Sequence, residues 1–219
     1  MTILIIHLLG GGPNEFIPDL HSYHKKEVIW VGVDRGVITL LQAGIIPTKA
    51  FGDFDSITQA ELEWAQTRLN EIEIWPSEKD KTDMDIALDW ALAQKADKIR
   101  IFGATGGRLD HLFGNVQLLI KNVKANIEMI DRQNIITAHE PGEYVIEHVP
   151  FYRYISFIPI TMDVKGITLR GFKYPLTNCH IQLGSTLCIS NELIQSHGTF
   201  SFSEGILMMI RSKDLGGSF

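Results

Sequence analysis

Asp53 and Asp55 stand two positions apart in Gly52-Asp53-Phe54-Asp55-Ser56. If that loop is extended, alternate residues share a face and the two carboxylates point the same way. Carboxylates ~4 Å apart repel by about 4 kcal/mol at an effective dielectric near 20, so a buried pair needs a cation or a shared proton. Oxygen donors with no His or Cys close by favour Mg²⁺ over zinc. A solvated turn is the alternative for these two residues alone. A third carboxylate, Asp83, in Asp80-Lys81-Thr82-Asp83, shifts the balance to a metal site. Thr82, followed three positions later by Asp85, reads as a helix N-cap, and capping fixes where the Asp83 side chain points.

Further unusual residues recur along the chain. Gly103-Ala104-Thr105-Gly106-Gly107-Arg108-Leu109-Asp110 precedes a helical pattern. Glycines let backbone approach a phosphate, and a helix N-terminus offers free N–H groups. Arg108 can grip a phosphate oxygen in a fork geometry. Asp110 in the first helical turn is accounted for by dipole compensation alone. Gly10-Gly11-Gly12 and Asp34-Arg35-Gly36 follow two further apolar runs. None of these is a P-loop, because the Gly-Lys-Ser/Thr ending is missing, and the glycine triplet is not a dinucleotide fingerprint. The histidines show no ligand spacing.

These loops require a scaffold that brings them together. Strand-like runs fall at Ile3–Leu9, Glu27–Val33, Lys49–Phe51, Glu71–Trp75, Lys98–Phe102 and Asn126–Ile130. Several are continuous apolar runs, as expected for strands covered on both faces. Helical patterns lie between them at Arg35–Ala43, Thr58–Leu69, Thr82–Gln94 and Arg108–Asn122, the last with Leu109, Leu112, Val116, Leu119 and Ile120 on its buried side. The alternation predicts an α/β fold: an N-terminal, mostly parallel sheet flanked by helices, whose ligand gathers at the carboxyl ends of the strands. Beyond about residue 131 helical periodicity stops. Short β-rich pieces at Tyr144–Val149, Tyr152–Ile158, Gly166–Leu169, Thr186–Ser190, Thr199–Ser203 and Ile206–Ile210 predict a smaller antiparallel β-sandwich. The expected domains are 1–131 and 132–219.

The 219 residues carry a net charge of −6, which argues against a nucleic-acid binder. A small phosphorylated ligand stays compatible, since a metal can supply the positive charge. No run approaches the length of a membrane span. Two cysteines without metal-ligand spacing fit a reducing, cytoplasmic setting.

Gly52-Asp53-Phe54-Asp55-Ser56, Asp80-Lys81-Thr82-Asp83 and Gly106-Gly107-Arg108-Leu109-Asp110-His111 closely resemble, in order and spacing, the signatures of thiamin pyrophosphokinases. Val33-Asp34-Arg35-Gly36 resembles that family's nucleotide-side loop. Ile189-Ser190-Asn191 resembles its Ser-Asn motif, and Gly171-Phe172-Lys173-Tyr174-Pro175-Leu176 the segment that offers an aromatic ring to thiamin. The resemblance covers nearly the whole chain. It implies an ATP-binding α/β domain, a thiamin-binding and dimerising β-domain, and a homodimer with sites shared between subunits. It further implies Mg²⁺ and the triphosphate at Asp53, Asp55 and Asp83, and Arg108 and Asp110 at the reacting end. Gly11, Gly12, Asp34, Arg35, Gly36, Asp80 and Thr82 fall on the ATP side, and Lys79, Tyr174, Ser190 and Asn191 on the thiamin side. Lys79 stands where some members carry Gln, and Tyr174 where some carry Trp. The implied reaction is attack by the thiamin hydroxyl on the β-phosphorus of ATP, giving thiamin diphosphate and AMP. Two rivals use the same residues. A phosphohydrolase with Asp53 as nucleophile would place Asp-x-Asp after the first strand and follow it with Thr. A nucleotide or thiamin sensor would not need three carboxylates.

Overall fold

The computed structural model describes residues 3–69, 72–74 and 80–214, and these fall into two compact units. The first comprises residues up to 121 together with 125–132, and the second 122–124 together with 133 onward.

Among the described residues the first unit holds six strands: β1 (Ile5–Leu9), β2 (Val28–Val33), β3 (Lys49–Gly52), β4 (Ile72–Ile74), β5 (Lys98–Phe102) and β6 (Ile127–Ile130). They are parallel and lie side by side in the order β4-β3-β2-β1-β5-β6. Successive strands move outward from β1 to β4, and β5 then returns to the other side of β1. The order therefore reverses between β1 and β5, which is where a crevice opens at the carboxyl ends of such a sheet. The helices are α1 (Gly36–Gln42), α2 (Gln59–Gln66), α3 (Asp83–Ala93) and α4 (Leu109–Lys121). Thr58 accepts from the Glu61 N–H while the Glu61 carboxylate accepts from the Thr58 N–H, so α2 begins with a complete capping box. Thr82 caps α3 by accepting from the Asp85 N–H. Between sheet and helices Val37, Ile38, Leu41, Ala50, Phe54 and Ala65 form a continuous buried cluster.

Helix α4 departs from expectation. Its buried side chains are Leu118 and Leu119, whereas Leu109 is 66% exposed and Phe113, one turn on, 65%. The apolar period is present, but only the C-terminal turns of the helix meet the core.

The second unit is all β. Strands β7 (Asn134–His139), β9 (Tyr154–Pro159) and β13 (Leu207–Ser212) pair antiparallel, with β13 between the other two. Strands β8 (Gly142–Glu147), β10 (Asp163–Arg170), β11 (Leu176–Gln182) and β12 (His197–Phe202) form a four-stranded antiparallel sheet in the order β11-β10-β12-β8. Phe157, Leu207 and Met209 from the first group pack with Ile146, Ile167, Leu169 and Phe200 from the second, the layered core of a sandwich. Two of its strands lack an obvious sequence pattern. β7 follows β6 after only a short gap, and β11 is an edge strand with Ile181 as its single buried residue. Conversely, Thr186–Ser190, expected as a strand, is a turn: the Ile189 N–H bonds back to Thr186, and Ser190 has φ of 57°.

Candidate active site

The loops after β1 and β5 lock together at the reversal point. The Gly10 N–H donates to the Phe102 carbonyl and the Gly12 N–H to the Gly103 carbonyl, both at 2.9 Å. A Cβ on Gly12 would lie 2.6 Å from the Gly103 oxygen, and one on Gly36 would lie 1.9 Å from the Leu9 oxygen. Two of the glycines expected to approach a ligand are thus required by backbone lying against backbone. Gly11 remains exposed on the rim beside Arg35.

Next to this seam, Asp34, Asp53 and Asp83 each present a carboxylate oxygen within 4.8 Å of the others. Asp34 directly follows β2 with φ of 50°, a left-handed turn that Asp tolerates, and its N–H is held by the Phe51 carbonyl at 2.9 Å. Its Oδ1 sits so close to Gly52 that a Cβ there would lie 2.1 Å away. Asp53 follows directly from β3, and Asp83 is the first residue of α3.

The expected pairing of Asp53 with Asp55 on one face is not what forms. Phe54 takes φ of 58° and drops into the core between α1 and α2, so the loop is bent rather than extended. Burial of the ring offsets a backbone conformation that a bulky residue seldom adopts. Asp53 is turned toward Asp34 and Asp83, while the Asp55 side chain is exposed and its N–H donates to Asp53 Oδ1 at 3.1 Å. The cluster therefore recruits Asp34, expected on the nucleotide side, in place of Asp55.

Arg35 reaches across to the same loop. Its guanidinium donates to the Ser56 carbonyl at 2.8 Å and to Glu61 at 3.3 Å, so in this structure it ties α1 to the start of α2. Asp80 is exposed, and the neighbouring Lys81 is paired with Asp89. Lys79 lies outside the described residues.

On the far side of the reversal point, Arg108 and Asp110 form a two-pronged pair at 2.6 and 3.1 Å, and Asp110 Oδ1 also accepts from the His111 N–H. The Arg108 hydrogen bond and the backbone donor hold the Asp110 carboxyl at about 2. A carboxylate that acidic is a poor proton acceptor. The loop carrying this pair is anchored by residues that sequence alone did not mark. Buried Thr105 donates to buried Asp131 at 2.8 Å, and Asn115 donates to the Ala104 carbonyl at 3.1 Å. Asp131 directly follows β6, and a polar residue at a strand's carboxyl end was the available signal.

In the second unit Tyr174 projects from the turn between β10 and β11, 57% exposed. Ser190 is exposed, and its N–H bonds to Ser156 Oγ at 2.9 Å. Asn191 is buried, with its side-chain amide bonded to Tyr174. Among the described residues, Asp34, Phe54 and Ser190 are three of six non-glycine residues with positive φ, so left-handed backbone occurs at two candidate site residues and beside a third, Asp53.

Residues 20–130 match the family model described as thiamin pyrophosphokinase, catalytic domain, and residues 143–207 match the model described as thiamin pyrophosphokinase, vitamin B1 binding domain. The thiamine pyrophosphokinase of Bacillus subtilis (strain 168) is 58% identical over 211 residues, covering 95% of this chain and 99% of its own. The chain belongs to the thiamin pyrophosphokinase family.

The crystal structure of thiamin pyrophosphokinase from Geobacillus thermodenitrificans superposes with a TM-score of 0.92 at 61% identity, covering 97% of this chain and 99% of that one. That of the Bacillus subtilis enzyme also gives 0.92, at 57% identity, covering 96% of this chain and all of the other. The yeast thiamin pyrophosphokinase structure shares only 14% identity at a TM-score of 0.81 and shows the common fold alone. The catalytic-domain match of thiamin pyrophosphokinases spans the carboxylate cluster and the Arg108–Asp110 pair, and the B1-binding match spans Tyr174, Ser190 and Asn191. Among the described residues no helix is long and apolar enough to cross a membrane.

Proposed function

We propose that this chain transfers the pyrophosphoryl group of ATP to the hydroxyl of thiamin, giving thiamin diphosphate and AMP. The observation that carries the reading is the convergence of Asp34, Asp53 and Asp83 at the carboxyl edge of the parallel sheet of a thiamin pyrophosphokinase family member. Three carboxylates this close, with no nitrogen or sulfur donor among them, fit a hard, oxygen-liganded cation such as Mg²⁺. Asp34, Asp53 and Asp83 would hold it, and Asp55, whose side chain is exposed, can turn toward them without displacing a packed neighbour. Once bound, Mg²⁺ would neutralise charge on the phosphate oxygens of ATP.

The chain's own residues position the reactants. Gly11 and Asp80 are proposed to meet the nucleotide on the exposed rim, with Gly12, Arg35, Gly36 and Thr82 setting the rim's shape. Arg108 is proposed to hold a phosphate oxygen, turning from Asp110 as it does so. While paired with Arg108, Asp110 is held as an acidic carboxylate; once Arg108 has turned to the phosphate, Asp83 or Asp110 is proposed to orient or accept the hydroxyl proton. Tyr174 and Ser190 are proposed to contact thiamin, together with Lys79. We propose further that the working form is a homodimer with sites shared between subunits. Support comes from Leu109 and Phe113, exposed one helical turn apart next to the reactive Arg108–Asp110 loop. A cytoplasmic location agrees with the free thiols Cys179 and Cys188.

The test is to incubate the protein with ATP, thiamin and Mg²⁺ and to follow AMP and thiamin diphosphate together. Equal yields, absent without thiamin or Mg²⁺, are expected. ADP or phosphate as product refutes the transfer, and binding without turnover favours a sensor.

A further inference from the structure

Asn191 belongs to the sequence motif expected to meet thiamin, yet its surroundings give it a different task. It is 2% exposed. Its backbone is spliced onto β9: the Asn191 N–H donates to the Ile155 carbonyl at 3.0 Å, and the Ile155 N–H to the Asn191 carbonyl at 2.7 Å. Its side-chain amide is committed to main chain. Oδ1 accepts from the Tyr174 N–H at 3.0 Å and from the Glu192 N–H at 2.9 Å, and Nδ2 donates to the Tyr174 carbonyl at 2.9 Å. The amide thus imitates one rung of a β-ladder, satisfying both polar groups of Tyr174 from one planar side chain. Only an amide offers donor and acceptor in this plane, and asparagine is the one of the right length.

The neighbouring bonds serve the same segment. The Lys173 N–H donates to the Glu192 carbonyl at 2.8 Å and the Ile194 N–H to the Gly171 carbonyl at 3.0 Å. The Glu192 carboxylate bridges Arg153 at 2.8 Å and Lys173 at 2.9 Å, and the Lys173 ammonium stands 5.5 Å from the centre of the Tyr174 ring. Pro175 restricts Tyr174 to extended backbone from the other side. The result is a rigid main chain carrying an exposed ring. Ser190 is left as the member of the Ser-Asn pair within reach of a ligand.

We propose that Asn191 is a positioning residue: it touches no substrate and sets the Tyr174 ring against thiamin through the Tyr174 main chain. This rests on the reading of Tyr174 as a thiamin contact. Asn191→Asp keeps the size and the acceptor but loses the donor and sets a negative oxygen against the Tyr174 carbonyl. The expected result is a rise of about tenfold in KM for thiamin, the scale of one lost hydrogen bond, with KM for ATP unchanged and kcat little altered. In a Tyr174→Ala background, itself weakened toward thiamin, the same substitution should add nothing, because the residue it acts through is gone.

Three results overturn the proposal. One is an unchanged KM for thiamin in Asn191→Asp. Another is an equal further loss in the Tyr174→Ala background, which would make Asn191 a direct contact. The third is a parallel collapse of kcat and both KM values, which would make it a folding residue. Amide hydrogen exchange over residues 172–174, read without substrate, separates this from the reaction assignment. Faster exchange is expected in Asn191→Leu, which removes the acceptor of the Tyr174 N–H at similar size, and unchanged protection sinks the staple even if the enzyme makes thiamin diphosphate. A wild-type protein with no turnover would sink the reaction while leaving the staple measurable.

Discussion

His7 provides a sharp test of how the parallel sheet is held together. It lies in the middle of β1, 0% exposed, edge-on to Trp30 at 4.6 Å and to Phe102 at 5.3 Å between ring centres. Among the described residues neither ring nitrogen has a hydrogen-bond partner. Burial first, and then the nearby Arg100 cation, depress its pKa from 6.5 to about 3. The folded protein therefore keeps His7 neutral, whereas the unfolded chain binds a proton below about pH 6.5. The unfolded state binds more protons, so stability rises with pH through this window and is lost as pH falls from about 6.5 toward 3. With 1.36 kcal/mol per pH unit, the loss between pH 8 and pH 5 is about 2 kcal/mol. His7→Phe keeps an aromatic ring among Trp30, Phe102 and Tyr23 but cannot titrate. The sequence has tryptophans at positions 30, 64, 75 and 90, and the three described ones, Trp30, Trp64 and Trp90, belong to the first unit. Tryptophan fluorescence in a urea titration follows unfolding of that unit, and the similarly depressed His139 in β7, common to both proteins, cancels in the comparison. Wild type should lose about 2 kcal/mol more than His7→Phe between pH 8 and pH 5, since groups common to both cancel. Equal pH dependence would refute the reasoning and mean that His7 is solvated or charged in the fold.

Asp34→Asn should lower turnover at least a hundredfold with the fold intact, because Asn also tolerates the left-handed turn. Circular dichroism alongside the AMP assay checks this, and near-normal activity would remove Asp34 from the metal set. Gly36→Ala should destabilise the first unit by roughly 1–3 kcal/mol, since its Cβ would meet the Leu9 carbonyl, main chain that cannot yield as a side chain can. Thermal unfolding at fixed pH measures it. Thr58→Ala removes the α2 cap and should cost about 1 kcal/mol without changing kcat. A loss of activity at unchanged stability would place Thr58 in the site instead.

Much of the molecule was legible in the chain. Alternating apolar runs and helical patterns indicated the α/β half, because strands covered on both faces must be apolar throughout and amphipathic helices must repeat near every third or fourth residue. The caps at Thr58 and Thr82 were readable for the same local reason: a cap is satisfied by donors two or three residues away. Carboxylates gathered at the strand ends were anticipated from type and order. What local pattern could not supply was which of them meet. Asp55 lost its place to Asp34 because Phe54 found a core between α1 and α2, and that core exists only when helices distant in sequence are packed. Leu109 and Phe113 share the spacing of buried residues, but only the fold decides how far along α4 the core extends. β11 carries one buried side chain, too few for alternation to show, and is a strand because β10 offers it hydrogen bonds. The role of Asn191 is of the same kind. The sequence shows an amide at that position, but its two Tyr174 partners lie 17 residues away, where only the folded chain can bring them.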